Sequence, residues 1–198
     1  MIKAIIFDCF GVLYPDTYWT MAVNHLGTGY GGKKDELSGL VNQVDMGFIT
    51  RDELWITFGE IVGLTRDEVY AELKDFGGLD KRLLKFIEAK KNEKFRVGMI
   101  SNVGKGFIDS MFTDKPATYY FDSIILSSNV GLVKPDRRIY ELSAGDLGLE
   151  TNECVFTDDL EKNVVGAQKA GMQAIQYKDY DSFVIELEQL LEMSDTNK

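Results

Sequence analysis

Short, nearly continuous apolar segments recur along the chain and predict the strands of a buried sheet. Strands whose two faces are both covered read as unbroken apolar runs, whereas half-exposed strands alternate apolar and polar residues. The segments here are of the first type and are bounded by polar and turn residues. We therefore predict buried strands at residues 3–7, 96–100, 123–126, 153–156 and 173–177.

Segments with the period of an α-helix separate the later strands. They span residues 79–91, 135–147, 160–170 and 183–193. Pro135 suits the first turn of the second helix, and Gly171 suits the position just after the third. The alternation of strands and helices predicts an α/β fold with a Rossmann-like, three-layer core around a parallel sheet.

Residues 14–78 interrupt this alternation, because no segment among them reads as a strand. The capping-box pattern, a threonine followed three positions later by a glutamate, marks two helix starts there, at Thr50 and Thr65. We therefore expect a small all-helical cap at residues 14–78, inserted after the first strand. The core would then consist of residues 1–13 and 79–198.

The insert contains a glycine-rich segment, GTGYGGKK, at residues 27–34. It matches GxGxxG and most of the pattern of a phosphate-binding loop, but such loops follow a strand and precede a helix. Here the preceding residues read as a helix, and Lys34 stands where the pattern needs serine or threonine. We interpret the segment as a flexible loop between helices.

The charge of the chain limits its partners. The formal net charge of the 198 residues is −10. Such a surface repels nucleic-acid phosphates and anionic membranes, so we expect neither as a partner. No apolar run approaches the roughly 20 residues that cross a bilayer, and the N-terminal segment does not read as a signal peptide. We therefore expect a cytoplasmic protein.

The few cysteines and histidines limit the chemistry further. Cys9 and Cys154 fall near opposite ends of two predicted strands, so we expect them to be free thiols in a reducing compartment. His25 is the only histidine, which argues against a Ser-His-Asp hydrolase and a histidine-rich zinc site. It falls in a helical segment, where we expect a structural role.

Chemically active side chains follow the predicted strands. In open α/β sheets, ligands bind beyond the carboxyl ends of the strands. An acid that ends a buried strand also carries a desolvation cost, which a partner must offset. We therefore expect one shared site, formed by Asp8, Ser101, Asn102, Lys134, Asp158 and Asp159.

Four segments that contain these residues resemble the motifs of the haloacid dehalogenase-like hydrolases, in order and at similar spacing. They are FDCFGVL, ISNVG, GLVKPDRRIYE and FTDDLEKNVVGAQKAGM. The resemblance covers nearly the whole chain. The segment DMGFITRDELW, at residues 45–55, is similar to the helical cap that follows the first motif in one large subgroup.

The resemblance implies hydrolysis of a small phosphorylated metabolite with Mg²⁺ as the cofactor. Asp8 would attack phosphorus and form an aspartyl-phosphate intermediate. The magnesium ligands implied by the motifs are Asp8, the backbone carbonyl of Phe10, and the Asp158–Asp159 pair. Oxygen ligands of this kind suit Mg²⁺. Which member of the pair contacts the ion directly stays open.

The same resemblance assigns roles to the remaining motif residues. Ser101 and Lys134 would act in catalysis, and both would bind the phosphoryl group together with Asn102. A lysine at this place offsets the negative charge of the nucleophile and of the group being transferred. Asn163, one turn into the following helix, would support the acidic pair.

Phe10 departs from the motif of the phosphatases in this family. They usually carry a second aspartate there, which protonates the leaving group and then activates water. The haloacid dehalogenases lack that acid and commonly have an aromatic residue, since halide leaves without a proton. Yet the Asp158–Asp159 pair, which the resemblance associates with magnesium, is retained.

Three functions therefore stay open. The favoured one is a magnesium-dependent phosphatase, which would use either an activated leaving group or an acid supplied by the cap. The second is a metal-independent dehalogenase. The third is a non-catalytic or regulatory protein that binds a phosphorylated ligand or a protein partner.

Overall fold

A five-stranded parallel sheet forms the centre of the structure, a computed structural model that describes residues 1–75 and 77–196. The strand order is β3-β2-β1-β4-β5. The strands are β1 (Ala4–Phe7), β2 (Arg96–Ser101), β3 (Ser123–Leu126), β4 (Cys154–Asp158) and β5 (Gln173–Gln176). Ala4 pairs with Arg96 on one side and with Cys154 on the other, so β1, β2 and β4 begin at the same level and their carboxyl ends share one edge. The predicted α/β, Rossmann-like fold is confirmed.

Helices cover both faces of the sheet. Successive residues of β1 point to opposite faces, so the strand contacts both layers of helices. Phe7 packs with residues of α5 (Lys81–Asn92) and α11 (Tyr180–Thr196). Ile6 packs with residues of α9 (Arg137–Asp146) and α10 (Glu161–Ala170). The core therefore consists of two apolar layers that the sheet separates, which is the expected three-layer arrangement.

Between β1 and α5 the structure describes helices and no strand. These helices are α1 (Thr17–Leu26), α2 (Tyr30–Asp45), α3 (Arg51–Val62) and α4 (Arg66–Asp75). They enclose an apolar cluster of their own, which includes Tyr18, Leu37 and Phe58. This segment, residues 14–78, is called the helical insert below. Its residue 76 lies outside the described residues.

Both predicted capping boxes form. The Thr50 Oγ1 atom accepts a hydrogen bond from the Glu53 backbone N–H, and a Glu53 carboxylate oxygen accepts from the Thr50 N–H, at 3.2 and 2.7 Å. Thr65 and Glu68 make the same pair of bonds, at 3.3 and 2.7 Å. Each box satisfies donors that a helix start otherwise leaves free.

The interpretation of residues 27–34 as a flexible loop is wrong. Gly27–Gly29 form one turn of 3-10 helix, and α2 starts at Tyr30. The glycines of α2 are exposed or half-exposed, but Leu37 and Leu40 pack into the apolar cluster of the insert. Tertiary packing of this kind outweighs the poor helix propensity of glycine. The segment follows α1, so it lacks the preceding strand that a nucleotide-binding loop needs.

Short helices that the sequence pattern did not reveal complete the fold. They are α6 (Phe107–Met111), α7 (Ala117–Tyr120) and α8 (Ser127–Val130). Each spans about one turn, too short for an apolar period to show in the sequence. Among the residues that the structure describes, none of the helices combines the length and the apolarity that a membrane span requires.

The cysteines and the histidine behave as expected. Cys9 and Cys154 are buried free thiols. They lie at opposite ends of two neighbouring strands. Cys154 is the first residue of β4 and pairs with Ala4, the first residue of β1, whereas Cys9 follows the last residue of β1. His25 lies on α1, where its Nε2 atom is 2.8 Å from a carboxylate oxygen of Glu72 on α4. This contact joins helices α1 and α4 of the insert, so His25 has a structural role.

Replacing Gly166 by alanine tests how closely α10 packs on the segment that precedes α9. A Cβ atom at position 166 would lie 2.7 Å from Pro135 Cβ and 3.0 Å from the Pro135 carbonyl oxygen. Overpacking of this kind typically costs about 1–3 kcal/mol. We expect Gly166→Ala to lower the free energy of unfolding by that amount in urea denaturation.

The matched control is Gly145→Ala on α9, because a Cβ atom at position 145 meets nothing within 4 Å. Alanine is favoured over glycine in a helix interior by roughly 0.5–1 kcal/mol. The control should therefore be as stable as the wild type or slightly more stable. Equal loss of stability in both variants, or in neither, would contradict the close packing of α10 on Pro135.

Candidate active site

The carboxyl edge of the sheet brings four of the predicted site residues together. Asp8 follows β1, Asp158 ends β4, Asp159 follows it, and Lys134 lies in the loop before α9. β1 and β4 are paired neighbours, with Phe7 opposite Thr157, so the residues that follow them lie side by side. Parallel pairing, rather than any local contact, therefore creates the site.

The Lys134 ammonium bridges two buried carboxylates. Its Nζ atom lies 2.6 Å from Asp8 Oδ1 and 2.6 Å from Asp158 Oδ2, and its side chain is 1% exposed. Burial lowers the pKa of Lys134, but Asp8 and Asp158 raise it by more, so the net direction is upward. The lysine therefore stays charged, and it offsets the repulsion of two acids that would otherwise be costly to bury together.

Asp158 has the most complete set of partners. Both of its oxygens accept from the Asn163 Nδ2 atom, at 2.9 and 3.0 Å, and Oδ1 also accepts from the Leu160 N–H at 2.9 Å. With Lys134, these contacts occupy both oxygens. Asp158 therefore holds Lys134 in place, and Asn163 supports it from the first turn of α10.

Asp8 keeps one oxygen open. Oδ1 accepts from Lys134 and, at 2.7 Å, from the Cys9 N–H. Among the described residues nothing bonds to Oδ2, and Asp8 lines the cavity discussed below. Burial raises the pKa of Asp8 above its ordinary value, Lys134 lowers it, and Asp158 raises it again. A further cation beside Asp8 would favour the ionised, nucleophilic form.

Asp159 faces the cavity and also lacks a partner on one oxygen. Its Oδ1 atom is buried and makes no hydrogen bond with the described residues. Burial, with Asp158 and Asp16, raises the pKa of Asp159 to about 6. The Asp159 carboxylate packs against Gly11, where a Cβ atom would overlap the carboxylate and where φ is +87°. Glycine is thus required at position 11 by both the space and the backbone.

Three carboxylates at this edge could hold a metal ion. One oxygen from each of Asp8, Asp158 and Asp159 lies within 4.8 Å of the other two. None of the hydrogen bonds formed by the described residues uses the Phe10 carbonyl oxygen, so this predicted ligand is also free. Open oxygens on Asp8, Asp159 and Phe10 fit a hard, oxygen-binding cation such as Mg²⁺.

Asn102 and Ser101 do not belong to the cluster formed by the three acids and Lys134. Asn102 lines the cavity, and its amide pins the backbone of Lys134: Oδ1 accepts from the Lys134 N–H at 2.8 Å and Nδ2 donates to the Lys134 carbonyl at 3.1 Å. Ser101 is fully buried and its Oγ atom has no partner among the described residues. Asn102 therefore positions Lys134, in addition to any contact with a ligand.

Phe10 is part of an aromatic wall. Its ring packs edge-on against Tyr14 and Phe107, with ring centroids 6.0 and 6.5 Å apart, and the Phe107 ring lies 5.7 Å from Trp55 of the helical insert. All four rings line the cavity. The place that would carry a second acid in the phosphatase motif is therefore an apolar surface.

A cavity of about 700 Å³ opens above these groups. Asp8, Asp159 and Lys134 of the core line it together with residues of the helical insert. The sequence allowed for an acid supplied by the cap but did not identify the residue, Asp45 at the end of α2, which lines the cavity. The available signal was an acid directly after Val44, which belongs to the buried, apolar face of that helix.

Comparisons with known proteins agree with this geometry. A family profile described as haloacid dehalogenase-like hydrolase matches residues 2–171. The sesquiterpene phosphatase astK of Aspergillus oryzae is 28% identical over 195 residues, which cover 96% of each chain. The D-ribitol-5-phosphate phosphatase of Bacteroides thetaiotaomicron is 26% identical over 191 residues, which cover 89% of this chain and 92% of the relative.

A solved structure shares the fold. It is a HAD family enzyme from Bacteroides thetaiotaomicron in complex with magnesium and inorganic phosphate, with a TM-score of 0.73 at 23% identity. The alignment covers 92% of this chain and 99% of that one. Because the family profile spans most of the sequence, the chain belongs to the haloacid dehalogenase-like hydrolases. The predicted resemblance and the predicted hydrolase class are confirmed.

Removing the charge of Lys134 should destabilise the fold. Lys134→Met leaves Asp8 and Asp158 buried without their cation, and breaking such a pair typically costs about 3–5 kcal/mol. We expect a loss of this size in urea denaturation at pH 8 without added metal. The loss should shrink as the pH falls, because the folded variant then takes up a proton on Asp8, whose pKa is raised by burial.

Lys162→Met is the matched control, since Lys162 lines the same cavity but is exposed and makes no ion pair among the described residues. Its stability should stay within about 0.5 kcal/mol of the wild type, as for most surface substitutions. A Lys134→Met variant that is as stable as this control, at every pH, would contradict the role of the buried ammonium.

Proposed function

We propose that the protein is a magnesium-dependent phosphatase that transfers the phosphoryl group of a small organic ester to Asp8. The observation that carries the proposal is the pair of open oxygens, on Asp8 and Asp159, beside the buried Lys134 ammonium at the floor of one cavity. Phosphoryl transfer through an aspartyl intermediate requires a nucleophile, a binding site for a metal ion and a fixed positive charge.

The carboxylates of the site need more positive charge than Lys134 supplies. Three acids surround one lysine, and a phosphate ester adds further negative charge. We propose that Mg²⁺ is held by Asp8, Asp159 and the Phe10 carbonyl, with Asp158 reserved for Lys134 and Asn163. When bound, the ion would offset the charge of the phosphoryl oxygens and favour ionised Asp8.

The chain's own residues then account for two displacement steps. An Asp8 oxygen attacks phosphorus, the bond from phosphorus to the ester oxygen breaks, and that oxygen takes up a proton and leaves as the alcohol. Water then attacks the same phosphorus and gives up a proton, the bond from Asp8 to phosphorus breaks, and phosphate is released with the carboxylate restored. Lys134 stays beside Asp8 in both steps and offsets the charge that moves onto and off its oxygen.

We infer that the alcohol part of the substrate is largely apolar. The wall formed by Phe10, Tyr14, Trp55 and Phe107 offers apolar and aromatic surface next to Asp8, where the leaving group must lie. A cavity of about 700 Å³ holds much more than a phosphate ion. The name of the Aspergillus oryzae relative, a sesquiterpene phosphatase, supports a hydrocarbon ester, whereas the ribitol-phosphate relative supports a polyol ester.

The helical insert acts in this proposal as a cap over the core. Residues 14–78 would form the cap and residues 1–13 with 79–198 the core, the division expected from the sequence. Support comes from the cavity, whose reactive groups belong to the core and which residues of helices α1 to α4 also line. The cap would then select the alcohol part of the substrate and exclude water from the aspartyl phosphate.

The alternatives fit the site less well. A metal-independent dehalogenase has no use for Asp159, whose buried and open oxygen would only repel Asp8. A non-catalytic binding protein would account for Phe10, but it does not need the open oxygen of Asp8 pointed at the ligand cavity. Each alternative predicts an outcome other than phosphate release when the protein is given phosphate esters or haloacids.

The assay measures phosphate release from farnesyl phosphate, ribitol 5-phosphate and para-nitrophenyl phosphate, with Mg²⁺ or with a chelator. We expect Mg²⁺-dependent release, with farnesyl phosphate turned over at a higher kcat/KM than the polyol ester. Asp8→Asn should abolish release, and Asp159→Asn should weaken Mg²⁺ binding in calorimetry by at least about tenfold, as for loss of a metal ligand.

Asp146→Asn serves as the control, because Asp146 is an exposed acid at the end of α9, away from the cavity. Halide release from a haloacid without metal, in place of phosphate release, would support the dehalogenase instead. Thermal stabilisation by the esters without any turnover would support the binding protein. Either result would overturn the proposed phosphatase.

A further inference from the structure

We propose that Asp45, the last residue of α2, donates the proton that the leaving-group oxygen needs when Asp8 attacks phosphorus. The inference rests on the phosphatase proposed above and adds a proton source to it. The chain has no acid at position 10, and Asp45 is an acid of the insert that lines the same cavity as Phe10. The motif resemblance assigns Asp45 no role.

The Asp45 carboxylate reaches the cavity and has no partner. Asp45 as a residue is 9% exposed and lines the same cavity as Asp8. Within residues 1–75 and 77–196, its side chain makes no hydrogen bond and no ion pair, whereas its backbone carbonyl accepts from Ser127. Its carboxylate oxygens are open to the cavity rather than sealed inside the protein. A largely buried acid left unpaired at a cavity wall is a candidate for a functional group.

The backbone of Asp45 is fixed to the core beside the site. Its carbonyl accepts a hydrogen bond from the Ser127 hydroxyl at 2.6 Å, and the same hydroxyl accepts from the Val103 N–H at 2.9 Å. Val103 lies in the loop after β2, next to Asn102, whose amide holds the backbone of Lys134. A single buried hydroxyl thus ties the end of α2 to the loop that positions Lys134. Such support is what a proton donor on a cap needs in order to act at one defined place.

A close contact reinforces this anchoring two residues further on. Gly47 has φ +75°, and a Cβ atom there would lie 3.2 Å from the Ser128 carbonyl oxygen. The turn after α2 therefore packs directly on α8 of the core. Together with the Ser127 bond, this contact holds Asp45 at the cavity even when the ligand is absent.

The charge around Asp45 suits a group that must both give and take a proton near neutral pH. Burial raises the pKa of Asp45 to about 7, while Lys134 and Lys162 lower it and Asp16 raises it. At pH 7 the protonated and ionised forms are therefore both well populated. Proton transfer is most efficient when the pKa of the donor lies near the working pH.

The other elements packed against α2 carry few free charges. α8 contains no charged residue; in α1, the Tyr18 hydroxyl donates to the Leu37 carbonyl and His25 contacts Glu72. In the first turn of α3, Asp52 is bonded to Arg66 and Glu53 to Thr50, while Arg51 lines the same cavity over the Tyr70 ring. Lys134, Lys162 and Asp16 are thus the charges that a titration of Asp45 must take into account.

The proposed proton path balances over one turnover. As the bond between phosphorus and the ester oxygen breaks, the proton of the Asp45 carboxyl moves to that oxygen, which leaves as the alcohol. Asp45 is then a carboxylate, and it takes a proton from the water that attacks phospho-Asp8. The bond from Asp8 to phosphorus breaks, phosphate leaves, and Asp45 is again protonated. An apolar alcohol is a poor leaving group, so this donor matters most for the substrate class proposed above.

The test compares kcat/KM, with Mg²⁺, for two esters that differ in their need for a proton. Octyl phosphate releases an alkoxide, which must be protonated, whereas para-nitrophenyl phosphate releases a stable phenolate. Asp45→Asn keeps the shape of the side chain and removes its proton. We expect this variant to lose roughly 10²–10⁴-fold on the octyl ester and less than about threefold on the nitrophenyl ester.

The pH profile provides an independent readout. In the wild type, kcat/KM for octyl phosphate should fall as the pH rises through about 7, because Asp45 then loses the proton that it must donate. This fall should be absent from the nitrophenyl ester and from Asp45→Asn. If Asp45→Asn does not fold, the wild-type comparison decides: a fall that is equal for both esters, or missing from both, would overturn the proposal.

Asp146→Asn is the control, because Asp146 is an exposed acid at the end of α9 that does not line the cavity. We expect its ratio of octyl to nitrophenyl rates to stay at the wild-type value. Equal losses on both esters in Asp45→Asn, no loss on the octyl ester, or the same selective loss in Asp146→Asn would overturn the role of Asp45. A wild type that hydrolyses neither ester would refute the phosphatase itself, which is a distinguishable result.

Discussion

The ion triad of Asp8, Lys134 and Asp158 is the interaction on which the rest of the site depends. Parallel pairing of β1 and β4 brings two acids to one buried edge, and the Lys134 ammonium, 2.6 Å from each, makes that arrangement tolerable. Two asparagines support this lysine. Asn102 accepts a hydrogen bond from the Lys134 backbone N–H, and Asn163 donates to the Asp158 carboxylate that pairs with Lys134. One oxygen of Asp8 is thereby left open towards the cavity, with a fixed positive charge beside it.

In our proposal, the helical insert determines which substrates can reach Asp8. It closes a cavity over Asp8, gives it an aromatic wall that continues from Phe10 to Trp55, and places one unpartnered acid, Asp45, in it. In our account, the apolar wall occupies the place of the usual acid, and Asp45 of the insert supplies the proton instead.

The sequence predicted the core better than the insert, for physical reasons. Buried parallel strands leave continuous apolar runs, and strand ends in such a sheet must share an edge, so Asp8, Lys134 and Asp158 could be grouped without a structure. Residues 27–34 were misread because their glycines have poor helix propensity and only packing of Leu37 and Leu40 makes them helical. Asp45 was missed because its meaning lies in a tertiary fact, the absence of any partner, which no local pattern encodes.

The most direct test of the account is whether Asp8 itself carries the phosphoryl group. Wild-type protein should be mixed with para-nitrophenyl phosphate and Mg²⁺, quenched in acid during turnover, digested and analysed by mass spectrometry. Our account predicts one phosphoryl group on the peptide that contains Asp8, lost on brief treatment with base and absent with a chelator. Turnover without any phosphoryl group on that peptide, or with the group on another residue, would contradict it.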